Sequence, residues 1–163
     1  MCATRDSLED ISVVIRTASD EDAADVRALA IGSRIDAWTI DQYRDEAKRS
    51  DTVFLVAIDG PETTGFITGR IVPSSTEGLD GEIYNVAVSQ ECRGKGMGRY
   101  LLANAVDKFN SAGCGSIWLE VRESNLSATQ FYENNGFRRV TSRRKFYSGP
   151  VEDAIVMRLT LIE

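Results

Sequence analysis

The chain has 163 residues, 42% of them hydrophobic and 27% charged, the size and composition of one ordinary domain with a full core. With 19 basic and 25 acidic residues the net charge is −6, which argues against a general nucleic-acid coat and mildly favours a cationic partner. Histidine is absent, so Ser-His-Asp and Cys-His catalysis and every histidine metal site are excluded together, and any general base is a carboxylate, a tyrosine, a cysteine or water.

Residues 1–11 carry Arg5, Asp6, Glu9 and Asp10 where a secretory signal would be apolar, and the longest apolar run, 53–58, is far too short to span a bilayer. A cytoplasmic protein is expected, one domain over 1–163 with 1–11 as a flexible extension. Cys2, Cys92 and Cys114 are scattered and odd in number, so three thiols are expected rather than a disulfide framework or a zinc site, and no metal. Cys92 reads as a small space-filling residue, with a nucleophile as the alternative.

Residues 13–16 read as a short strand. Asp20, Glu21 and Asp22 open a helix in which Val26, Leu29 and Ala30 keep the i, i+3, i+4 spacing. Thr39-Ile40-Asp41-Gln42 is a capping box, and Ile40, Tyr43 and Ala47 carry an apolar stripe through a second helix. Runs 52–58 and 64–72 are β-rich and joined by Asp59-Gly60-Pro61, a hairpin signal. An irregular loop is expected over 73–81 and a strand over 82–88.

Arg93-Gly94-Lys95-Gly96-Met97-Gly98 follows that strand and leads at Arg99 into a helix whose Leu101, Leu102, Ala105, Val106 and Phe109 share one face before Gly113 ends it. Glycines let the chain turn tightly and come close to a ligand, and the first amides of a helix lack internal partners. The segment therefore reads as an anion site suited to a pyrophosphate, and Arg93, Lys95 and Arg99 supply the matching sign. Arg99 stands where G-x-G-x-x-G needs glycine, and no Ser or Thr follows Gly94-Lys95, so neither common phosphate loop is present and R-x-x-G-x-G remains.

Residues 116–122 alternate, with Ile117, Leu119 and Val121 on one side and Trp118, Glu120 and Arg122 on the other. Ser127-Ala128-Thr129-Gln130 reads as the capping box of a short helix that ends at Asn134-Asn135-Gly136. Runs 137–142 and 154–161 read as closing strands separated by 143–152. Strand, loop, helix, strand around the glycines is a βαβ unit with parallel strands, and ligands on such sheets bind at the carboxyl ends, which puts the chemistry near 120–125.

The R-x-x-G-x-G segment resembles the acetyl-coenzyme A loop of the Gcn5-related N-acetyltransferase (GNAT) superfamily. Trp118-Leu119-Glu120-Val121-Arg122-Glu123-Ser124-Asn125 together with Phe131-Tyr132-Glu133-Asn134-Asn135-Gly136-Phe137 closely resembles the RimI-type ribosomal-protein-alanine N-acetyltransferases. The resemblance covers most of the chain; it is strongest over 82–137, returns over 152–157, and is weaker before residue 50. It implies an α/β GNAT fold, a mixed central sheet with a splayed parallel strand pair and flanking helices. It also implies acetyl-coenzyme A (acetyl-CoA) as co-substrate. Backbone of Val86, Ala87 and Val88 would pair with the pantetheine arm. Arg93, Gly94, Lys95, Gly96, Met97, Gly98 and Arg99 would hold the diphosphate, and Asn125, locally a cap or turn residue, would add a contact.

The same resemblance implies Glu120 as general base and Tyr132 as general acid. Tyr132 lies 12 residues past Glu120, room for a turn and one returning helix. A phenol of pKa about 10 is protonated at neutral pH and can hand a proton to a departing thiolate. An α-amine, reference pKa about 7.7–8.0, loses its proton more easily than lysine at about 10.4, by roughly 2.5 units or ~3.4 kcal/mol, so a carboxylate suffices more readily for an N-terminus. On the residues alone Glu120 is also an exposed strand glutamate paired with a nearby arginine, and Tyr132 a packing aromatic. Glu82-Ile83-Tyr84-Asn85-Val86-Ala87-Val88 resembles the histone-acetyltransferase branch, which makes Glu82 a rival base, a partner acting through water, or a solvated strand start.

Arg138, Arg139, Arg143, Arg144 and Lys145 read as a solvated edge, with ribosomal RNA or the 3′-phosphate of coenzyme A as the alternative contact. Tyr147 and Trp38 match family segments around the peptide site, although Phe146, Ser148, Ala37 and Cys92 depart from the family's usual residues there. The implied activity is direct acetyl transfer to a protein N-terminal amine, as on alanine of a small-subunit ribosomal protein. The alternatives are an acetyltransferase for a small amine or amino-acid metabolite and a non-catalytic acyl-CoA sensor, against which the intact Glu120 and Tyr132 speak.

Overall fold

The computed structural model describes residues 12–35 and 37–161, so the expected extension over 1–11, Cys2 and Asp36 lie outside the described residues. The elements run β1 (Val13–Thr17), α1 (Ala23–Gly32), α2 (Ile40–Ala47), β2 (Thr52–Asp59), β3 (Glu62–Pro73), β4 (Leu79–Val88), α3 (Met97–Ser111), β5 (Cys114–Arg122), α4 (Leu126–Asn134), β6 (Arg138–Ser148) and β7 (Val151–Thr160). Short 3-10 turns stand at Asp20–Asp22 and Gln90–Cys92. The strands form one mixed sheet of order β1-β2-β3-β4-β5-β7-β6, with β4 and β5 parallel, which is the α/β architecture expected. Among the described residues no helix is long and apolar enough to cross a membrane.

The chain divides into two compact units, one reaching through Arg70 and including Asn85–Lys108, the other made of Ile71–Tyr84 and the chain from Phe109 onward. In the first, β1, β2 and β3 are antiparallel, and the hairpin closes at Asp59↔Glu62 with Gly60 at φ +58°, a conformation open to glycine. Residues 53–57 of β2 are all buried, so both faces are covered and the strand reads as a continuous apolar run. Val26 and Ala30 of α1 and Tyr43 of α2 join Phe54 and Phe66 in the core, the Tyr43 ring lying 6.1 Å from each phenylalanine.

The expected capping box starts α2: Gln42 donates its amide to Thr39 Oγ1 at 3.1 Å, and the Thr39 amide donates to Gln42 Oε1 at 2.8 Å. The acids ahead of α1 form the 3-10 turn instead of its first turn. Asp22 is drawn down there because Arg16 donates twice to its carboxylate, at 2.7 and 2.9 Å, and the Ser19 amide once at 2.8 Å.

In the second unit β4 and β5 pair in register Leu79↔Cys114, Gly81↔Ile117 and Glu82↔Trp118, and β7 lies between β5 and β6. Ile117, Leu119 and Val121 are buried, while Trp118, Glu120 and Arg122 are half-buried on the opposite face, as the alternation predicts. Strand β4 starts at Leu79 rather than 82, because Leu79 and Gly81 already pair with Cys114 and Ile117 of β5. Most of 143–152, expected as a break, is strand: β6 runs to Ser148 and β7 begins at Val151. Strand β6 is an edge strand exposed almost throughout, so it has no inward-outward alternation for a sequence reading to find. Helix α4 is capped by Asn125, whose side chain accepts from the Ala128 amide at 3.1 Å, so Ser127 lies inside the helix rather than at its cap.

Candidate functional site

The glycine bend belongs to the first unit. Gly94 and Gly96 have φ of +75° and +84°, and a Cβ on either would meet nothing within 4 Å, so glycine is needed for the turn itself and open space surrounds it. Gly98 lies in the first turn of α3, which begins at Met97, ahead of the Arg99 start expected. Tyr100 donates its amide to Gly96 O at 3.0 Å; the amides of Met97, Gly98 and Arg99, one turn earlier, have no intrahelical acceptor. Met97 is buried as the anchor, while Arg93, Gly94, Lys95, Gly96 and Arg99 are exposed.

Arg93 braces the bend: its Nε donates to Val88 O at 3.1 Å and its Nη2 to Ser33 Oγ at 3.1 Å, tying the loop to the ends of β4 and α1. Ala87 is buried, Val86 and Val88 are half-buried, and the Ser89 amide donates to Thr64 O at 2.8 Å. Left-handed glycines in open space, first-turn amides without intrahelical acceptors and the exposed Lys95 and Arg99 fit a diphosphate. Cys92 is disulfide-bonded, which corrects the expectation of three thiols. Cys114 is free, and burial pushes its thiol pKa up. A separate open groove of about 780 Å³ runs from Asp25 and Ser33 of α1 past Glu62 to Glu91 and Arg93; of the expected site residues only Arg93 lines it.

In the second unit Glu82 and Glu120 line one cavity of about 220 Å³ with Tyr84, Trp118, Arg143 and Val156. The sheet dictates this grouping. Glu82 is in register with Trp118, Glu120 with Val156, and residues two apart on a strand share a face. Tyr84 donates its hydroxyl to Glu82 Oε2 at 2.9 Å. Arg143 donates Nη1 to Glu120 Oε1 at 2.6 Å, and its guanidinium also stands 4.5 Å above the Phe146 ring. The strand-glutamate alternative, pairing with an arginine, is therefore the arrangement of Glu120, and it occurs inside the cavity.

Tyr132 is 8% exposed, its ring 5.2 Å from Phe131 and 5.5 Å from Phe137. Burial, and secondarily Tyr147, pushes its phenol above the usual tyrosine range, so it holds its proton at neutral pH. Tyr147 lies 4.2 Å under the Arg122 guanidinium, which also donates to Pro150 O at 3.2 Å. Glu152 accepts from the Ser124 amide at 2.5 Å; hydrogen bonds from Ser124, then Arg122, hold its carboxyl below the usual carboxylate range. Those contacts fix the turn that leads to Asn125. Trp38 belongs to the first unit and stacks on Tyr43 at 5.2 Å, so the two expected peptide contacts, Trp38 and Tyr147, fall in different units.

Tyr84, spaced two from Glu82 on one strand, is a site residue whose signal in the sequence is that spacing alone. The Arg143 contact had none: the residue lies 23 positions beyond Glu120, on a strand separated from β5 by β7.

The [Ribosomal protein bS18]-alanine N-acetyltransferase of Escherichia coli K12 is 40% identical over 81 residues, 48% of this chain and 55% of that protein. The chain thus spans about half the length of the curated relatives it matches. The crystal structure of the ribosomal-protein-S18-alanine N-acetyltransferase from Escherichia coli superposes with a TM-score of 0.81 at 24% identity, covering 93% of this chain and 95% of that one, which is a likeness of fold. A structure of the NatC complex bound to Gag peptide and CoA has a TM-score of 0.78 at 25% identity, covering 91% of this chain and 98% of that one. The family model described as Acetyltransferase (GNAT) family matches residues 23–137, and the chain belongs to that family.

Proposed function

We propose that this chain is a single acetyl-CoA-dependent N-acetyltransferase domain, acting in the cytoplasm, that moves acetyl directly to a protein N-terminal α-amine of the ribosomal-protein-alanine class. The observation that carries the reading is the cavity in which Glu82 and Glu120 stand together, a place for a cationic amine and for the proton it must lose. The printed names of the relatives, an alanine N-acetyltransferase and a complex holding peptide and CoA, support the same class.

Bound acetyl-CoA supplies an acetyl group activated as a thioester. The amides of Met97, Gly98 and Arg99, with Lys95 and Arg99, would hold its phosphates, Arg93 keeps their bend in shape, and backbone of Val86, Ala87 and Val88 would bind the pantetheine arm. Glu120 accepts the proton of the acceptor ammonium, directly or through water. Glu82, kept in place by Tyr84, attracts the ammonium into the cavity. Tyr132 would donate its phenol proton to the departing sulfur. Tyr147 would contact the peptide.

The test is incubation with acetyl-CoA and a panel of alanine-initiated peptides, N-terminally blocked lysine peptides and free amines, read by thiol release and mass spectrometry. Alanine-initiated peptides should be acetylated on the α-amine, and Glu120→Gln should lower kcat by about 10²–10⁴. Transfer to free amines alone would assign a metabolite enzyme instead, and CoA uptake without thiol release a sensor.

A further inference from the structure

We infer that Arg143 is a positioning residue that occupies the acceptor's cation seat at Glu120 and gives it up when the substrate ammonium arrives. The inference rests on the amine-acetylating reading above and adds a control on acceptor entry to it. Its basis is the composition of one cavity: two carboxylates, Glu82 and Glu120, and among its lining residues a single cation, the guanidinium of Arg143.

The two carboxylates are not equivalent. Glu82 accepts from a neutral donor, the Tyr84 hydroxyl at 2.9 Å. Glu120 is engaged by Arg143 at 2.6 Å, so the group placed to take a proton from an amine already faces a positive charge. A carboxylate cannot present the same oxygen to a guanidinium and to an ammonium at full strength, so an entering amine competes with Arg143.

Exchange is cheap for three reasons. The Arg143 side chain is 56% exposed and that of Glu120 30%, so the pair is screened by water and weakly held. The guanidinium already stands 4.5 Å above the Phe146 ring and keeps that contact when it releases Glu120. The β6 backbone beside it departs from regular pairing: the register with β7 shifts between Arg143 and Tyr147, and Lys145 sits at φ +51°. An exposed edge with an irregular ladder lets the side chain swing without disturbing the core.

The experiment is steady-state kinetics and calorimetry with an alanine-initiated peptide, comparing the native chain, Arg143→Gln and Arg143→Lys. Removing the cation should lower the peptide KM and Kd about fivefold, equivalent to about 1 kcal/mol, with kcat changed less than about twofold. Arg143→Lys, which restores the charge, should return the native values, and in a Glu120→Gln background Arg143→Gln should leave peptide Kd unchanged. A KM that stays the same or rises in Arg143→Gln, or a loss of kcat restored by lysine, would overturn the inference. Calorimetry separates the two claims: if no amine is acetylated but peptide binding tightens in Arg143→Gln and not in the double variant, the catalytic reading fails and the cation exchange stands.

Discussion

Trp118 donates its indole Nε1 to Asp80 Oδ2 at 3.1 Å, and the amide of Ser116 donates to Asp80 Oδ1 at the same 3.1 Å, so one carboxylate, 8% exposed, fastens the start of β4 to the start of β5. Those strands carry Glu82 and Glu120, and the anchor precedes both. Asp80→Ala leaves an indole and an amide donor without an acceptor and should cost about 2–3 kcal/mol in urea unfolding, with Asp80→Asn recovering part of it. Equal stability of native and alanine forms would show that the bonds do not hold the register.

Gly81 is placed where no side chain fits. A Cβ there would stand 2.6 Å from the Phe109 ring, which is fully buried. Gly81→Ala should destabilise by about 1–3 kcal/mol through overpacking, and the companion change Phe109→Leu should relieve part of that penalty in the double variant. Additive losses in the two variants, measured by thermal unfolding, would contradict the contact.

Gly96 tests the bend by conformation alone, since a methyl group there has open space but the backbone is at φ +84°. Gly96→Ala should cost about 1–2 kcal/mol of stability. It should also weaken CoA binding in calorimetry, because relaxing the strain re-aims the first amides of α3. Unchanged affinity would separate the bend from the cofactor.

Tyr132 makes a prediction about alkaline stability. Its folded-state pKa is raised, chiefly by burial, above an unfolded value near about 10. The stabilisation from holding the neutral phenol is fully present below pH of about 10 and is lost as pH rises beyond it, because the unfolded chain releases that proton first. Tyr132→Phe should therefore flatten the fall in stability above that pH while leaving the neutral range little changed. An identical alkaline slope in both proteins would refute the buried phenol.

Local signals are legible in the sequence and distant ones are not. Thr39 and Gln42 sit three apart and announce their reciprocal bonds; the glycines of residues 94–98 announce a turn at a helix start. Glu82 and Glu120 were each legible as candidates through motif resemblance. That they share a cavity depends on strand register, which pairs residues 36 positions apart, Glu82 with Trp118. Asn125 and Ser127 are both good capping residues, and the backbone of the turn held by Glu152 decides for Asn125. The Arg143 contact to Glu120 is a product of chain closure, which spacing along the sequence does not encode.

Strand β6 ends the sheet order, and Arg138, Arg139, Arg143, Arg144 and Lys145 stand exposed along it. A row of open amides and carbonyls invites a second copy of the chain to zip alongside, and closely spaced like charges make such stacking unfavourable. In a protein whose net charge is −6, this concentration of cations on one border works as a guard against fibre growth. Exchanging these residues for neutral β-formers would expose the molecule to self-association even where folding is unaffected.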